Sequence, residues 1–96
     1  MIRAHILQEL TQALGEPRSS SKADEWWIIS RRPWDKPLPV HVCLNPTLGP
    51  NRKVHVLVFD PSLPDGFIEL MADTMAEADA VIHRIKHITD AAEPEK

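Results

Sequence analysis

The run Val54-His55-Val56-Leu57-Val58-Phe59 sets the narrowest limits on how this chain can fold. It is made of strand formers and is apolar on both of its faces. Alternation places Val54, Val56 and Val58 on one side and His55, Leu57 and Phe59 on the other. A half-wet strand alternates apolar with polar residues, so this strand is built to be covered twice. At 96 residues the chain is long enough for one domain with a modest core. Two short helices are too little to cover both sides of its sheet. The second side therefore calls for a partner surface.

The rest of the chain reads as an α+β domain over residues 1–90. Ile2, Ile6, Leu10, Ala13 and Leu14 form one helical stripe, ended by Gly15 and Pro17. Residues 16–23 are polar and read as a loop. Glu25–Arg31 is the first strand. Trp26, Ile28 and Ser30 share one face, and Trp27, Ile29 and Arg31 the other; alternation alone does not say which is inward. Leu38–Leu44 is the second strand, with Val40, Val42 and Leu44 inward. The turn-rich segment 45–51 makes it a hairpin with the Val54–Phe59 strand. Setting Val42 opposite Val56 places Cys43 beside His55 and His41 beside Leu57. Phe67–Met71 is a short fourth strand, with Phe67 and Met71 outward. Thr74-Met75-Ala76-Glu77 is a capping box that starts a second helix, whose stripe runs through Met75, Ala78, Val81, Ile82, Ile85 and Ile88. Residues 91–96 are expected to fray. The expected fold is an antiparallel sheet of three or four strands with the N- and C-terminal helices packed on one face.

Composition excludes several classes. No apolar run approaches the ~20 residues of a membrane span, and the N-terminus lacks the apolar core of a signal peptide. Cys43 is the sole cysteine, so no internal disulfide forms and a cytoplasmic location is expected. The net charge of −3 argues against a nucleic-acid binder, which usually shows a basic excess. No phosphate loop, nucleophile elbow, metalloprotease helix or zinc finger is present.

Four surfaces compete for a role. The helix-free face would show Cys43, Leu57, Phe59, Phe67 and Met71, with one tryptophan from the first strand, a patch of the kind that marks an interface. A protein partner or a second copy would cover it, a symmetric dimer being the commonest arrangement. Arg31, Arg32, Trp34, Arg52 and Lys53 offer an alternative grip on nucleic acid or a small ligand. His41, Cys43 and His55 are outward and close in the expected register. They are the one set suited to a thiolate nucleophile or a soft metal, though no acid orients either imidazole. Asp79, His83 and His87 recur every four residues on the second helix, a spacing that could present a divalent metal to one face but that a solvated face explains better.

The order helix, three strands, helix resembles the double-stranded-RNA-binding domain. That family grips phosphates with a lysine-rich start to its second helix. Here that start is Ala72-Asp73-Thr74-Met75-Ala76-Glu77, which is acidic, so the family's function does not carry over. The expected role is a non-enzymatic protein-interaction module (accessory, inhibitor or immunity-type) with no cofactor and no metal.

Overall fold

A computed structural model describes residues 2–21, 23–31, 37–45, 53–89 and 92–94. Helix α1 (Ile2–Leu14) is followed by strands β1 (Arg18–Ser19), β2 (Asp24–Arg31), β3 (Pro37–Leu44), β4 (Val54–Phe59) and β5 (Phe67–Ala72). Helix α2 (Met75–Ile88) and a short strand β6 (Ala92–Pro94) complete the chain. The sheet runs β1-β2-β3-β4-β5, with β6 also against β2. Every pairing is antiparallel.

The α+β fold is as expected, with five strands between the helices rather than three or four. The extra strand comes from the segment expected to be a polar loop. Arg18 pairs with Glu25 and Ser19 with Asp24, and Ser20 N donates to Ala23 O at 3.0 Å. Two residues of pairing carry no hydrophobic period, which is why the strand is invisible in the sequence. The tail also departs from expectation. Instead of fraying through its length, it lays Ala92–Pro94 along the same edge of β2, opposite Ile28, Ile29 and Ser30. An open strand edge is a template for pairing, and the returning chain meets it.

Each helix has a visible local cause. Gly15 takes φ 95°, a conformation glycine adopts freely, and its N–H closes on Thr11 O at 2.9 Å to end α1. At the start of α2, Thr74 Oγ1 accepts from Glu77 N at 3.1 Å, and Glu77 Oε1 accepts from Asp73 N at 3.0 Å. The capping box is thus present, with its glutamate reaching one residue further back than the usual cap position.

Both helices pack on one face. Ile6, Leu10 and Leu14 of α1 and Ala78, Val81, Ile82, Ile85 and Ile88 of α2 are buried with Trp26, Ile28, Val40, Val42, Leu44, Val54, Val56, Val58 and Ala72 of the sheet. Ala13, expected in the first stripe, and Met75, expected in the second, are instead exposed, each lying at the edge of its helix's buried face. Polar ties hold the layers in register. Arg3 bonds Asp24 at 2.6 Å and donates from Nε to Asn45 O at 2.8 Å, joining α1 to β2 and to the end of β3. His5 meets Asp79 at 2.9 Å, joining the two helices. Asp79 is therefore engaged across the helix pair, while His83 and His87 are exposed.

Candidate functional site

The face turned away from the helices is assembled by register. Trp27 pairs with His41, His41 with Phe59, and Phe59 with Phe67, so four rings stand in one row across four strands. They touch in sequence. Trp27 and His41 stack at 3.7 Å with planes 7° apart, His41 and Phe59 lie 5.5 Å apart, and Phe59 and Phe67 lie 6.1 Å apart with a tilt of 36°. Arg18 adds its guanidinium 5.9 Å from the centre of the Trp27 ring. Trp27 is 38% exposed, Phe59 40%, Phe67 49% and Met71 41%, which is high for large apolar side chains. Trp27, Pro39, His41, Phe59 and Pro61 border a shallow depression of about 280 Å³ that runs alongside this row.

A second row lies beside the first: Arg18, Glu25, Cys43, Leu57 and Glu69 in successive strands. All five residues expected on the helix-free face are there. Phe59, Phe67 and Met71 are exposed, and Cys43 and Leu57 are half-buried.

The β3–β4 register differs from expectation by two residues. Val42 faces Val58 and Leu44 faces Val56, so His41 lies opposite Phe59 and Cys43 opposite Leu57. A two-residue slip keeps every side chain on its expected face but changes its neighbours. The triplet His41, Cys43 and His55 is consequently not formed. His55 sits nearer the other end of β4, nearly buried, with its Nδ1 3.0 Å from Glu69 Oε2. Glu25 takes its place, and Glu25, His41 and Cys43 hold their donor atoms within 4.8 Å of one another.

Electrostatics here follow burial. Burial pushes the His41 imidazole below its ordinary range, and the Glu25 carboxylate only partly restores it. Burial and, secondly, the Glu25 charge push the Cys43 thiol above its ordinary range. Such a thiol is protonated at neutral pH, unlike the thiolates of activated cysteine nucleophiles.

Of the alternative basic set, Arg32, Trp34 and Arg52 lie outside the described residues, and only the backbone of Arg31 is described, at the end of β2. Lys53 Nζ lies 3.8 Å from Glu77 Oε2, at the start of α2 rather than on the ring row.

One tryptophan of the first strand was expected on this face, and the structure shows it to be Trp27; Glu25 and Arg18 were not identified from sequence. Glu25 and Arg31 share alternation with Trp27, and those two charges were the available sign that this side of β2 points outward. No family model matches the chain, nor does any curated protein or solved structure.

Proposed function

We propose that this chain is a non-enzymatic interaction module that docks a protein through the helix-free face of its sheet, a second copy being the first occupant to test. The observation that carries the reading is the row Trp27-His41-Phe59-Phe67, whose Trp27, Phe59 and Phe67 are exposed, together with exposed Met71 and half-buried Leu57 on the same face. Rigid aromatic groups lose little freedom on binding and bury large area, which is why they anchor protein interfaces. Strand pairing already holds these side chains in one row, and each packs on the next, so ordering them on binding costs little.

Charge supports a protein over a nucleic acid. Glu25 and Glu69 lie in the row adjacent to the rings, where they would repel phosphate. Arg18 stands at one end of that row and Glu69 at the other. A two-fold axis along the strands would lay β1 of one copy over β5 of the next, setting these opposite charges face to face.

The test is sedimentation velocity from low to high micromolar concentration, on the parent chain and on Phe59→Glu and Phe67→Glu. The proposal expects a concentration-dependent dimer that both variants weaken at least about tenfold while their circular dichroism is unchanged. Unfolding of both variants would instead make these rings part of the fold.

A further inference from the structure

The cluster Glu25–His41–Cys43 has features that docking does not explain. Glu25 and Cys43 are direct cross-strand partners, and His41 lies two residues before Cys43 on the same face of β3. Three donors of different chemistry, a carboxylate oxygen, an imidazole nitrogen and a sulfur, thus converge from two strands to within 4.8 Å. His41 Nε2 is the pivotal atom. It lies 3.5 Å from Glu25 Oε1, an ion-pair separation rather than a hydrogen bond, and it is buried with no hydrogen-bond partner among the described residues. A buried ring nitrogen left in this way is costly and asks for an explanation. The imidazole is also held in orientation, stacked on Trp27 at 3.7 Å.

We propose that Glu25, His41 and Cys43 form a three-ligand site for a divalent metal of the zinc class, with its fourth position open on the helix-free face. Tetrahedral zinc at ordinary Zn–N, Zn–O and Zn–S lengths separates its donor atoms by roughly 3.3–3.6 Å. Glu25 Oε1 and His41 Nε2 already stand at that spacing. The remaining contraction is within reach of side-chain rotation, since the backbone positions are fixed by strand pairing. The donor set suits zinc: imidazole, thiolate and carboxylate are its three protein ligands. On binding, the Cys43 S–H gives its proton to solvent and the thiolate sulfur bonds the metal; with the Glu25 carboxylate, two negative charges balance the 2+ ion. His41 Nε2 then acquires the partner it lacks. The ring stack on Trp27 and the Asn45 Oδ1 4.0 Å from Cys43 Sγ supply the outer shell. The site stands on this chain's own residues, so it does not depend on whether the face docks a protein.

The test is titration of the full chain, kept reduced, with Co2+ as the spectroscopic probe and Zn2+ as competitor. One equivalent of Co2+ is expected to give a thiolate-to-cobalt charge-transfer band, which Zn2+ abolishes. Cys43→Ser is expected to lose the band, and both it and His41→Ala to weaken Zn2+ binding roughly 100-fold or more, since even outer-shell changes cost 10–100-fold. Glu25→Gln is expected to weaken it at least about tenfold. His83→Ala/His87→Ala is expected to leave band and affinity unchanged, and far-ultraviolet circular dichroism confirms that each variant is folded. Absence of a thiolate band at excess Co2+ would overturn the proposal. So would Zn2+ binding that Cys43→Ser leaves intact and that the α2 double variant removes. Repeating the titration on Phe67→Glu, which sits one strand beyond Phe59 and adds no carboxylate beside His41, reads the metal site separately from self-association, because the spectrum is expected to be the same in a monomer.

Discussion

Trp26 and Trp27 are neighbours in the chain, yet they belong to opposite regions of the molecule. Trp26 points toward the helices, is 2% exposed, and donates its Nε1–H to Gly15 O at 2.8 Å, tying β2 to the end of α1. Trp27 points away and stacks on a histidine in an open row of rings. On the inner side, residues of both helices and four strands enclose one another, and the polar handle of Trp26 is satisfied within the fold. On the outer side, the rings stack along one row, and a guanidinium, acids and a thiol stand beside them. The inner face answers to packing. The outer face carries groups that folding alone does not use.

The sharpest way to break this contrast is to delete each indole in turn. Trp26→Ala removes a buried ring and its hydrogen bond, and is expected to cost about 3–5 kcal/mol in urea denaturation, enough to threaten folding. Trp27→Ala forfeits only partial burial and one ring stack, and is expected to cost about 1 kcal/mol. Equal losses would show that the outer row is as much a part of the core as the inner one.

Smaller effects sharpen the account of what holds the helices to the inner face. Thr74→Ala removes the cap that orients the first turn of α2 and is expected to cost about 1 kcal/mol, measured as a lowered denaturation midpoint at unchanged slope. Asp24 provides a pH test. Burial would raise its carboxyl pKa, but hydrogen bonds from Ser19 and Arg3, with the Arg3 charge, outweigh burial and hold it below the ordinary carboxylate range. A depressed pKa means that this stabilisation is fully present above the unfolded-state value of 3.8 and is lost as pH falls through the folded-state value. Asp24→Asn is therefore expected to flatten the acid limb of a stability–pH profile, with an effect of about 1 kcal/mol or less near neutrality. An unchanged acid limb would remove Asp24 from the set of groups joining α1 to the sheet.

Strong periodicity made the two helices, the four longer strands and the inward valines legible in the sequence. Val40, Val42 and Leu44 face the helices, as do Val54, Val56 and Val58, because only one assignment buries both sets together. The α2 cap was equally legible, since Thr74 and Glu77 are chemically specific to it. Register was not. Alternation has period two, so Val42 against Val56 and Val42 against Val58 present the same faces, and the sequence does not choose between them. That slip took His55 away from Cys43, while the separate pairing of β2 with β3 brought Glu25 beside His41 and Cys43. Strands β1 and β6 escaped notice because two or three residues of edge pairing leave no pattern. The face residues Cys43, Leu57, Phe59, Phe67 and Met71 were within reach because each follows from an inward neighbour.

The most direct test of the docking face is the sedimentation coefficient of the parent chain against that of Phe59→Glu, each across a hundredfold range of micromolar concentration. The account predicts that the parent moves from monomer to dimer over that range, while a fully folded Phe59→Glu remains a monomer throughout. A parent chain that stays monomeric at every concentration, or a variant that dimerises as the parent does, would contradict it.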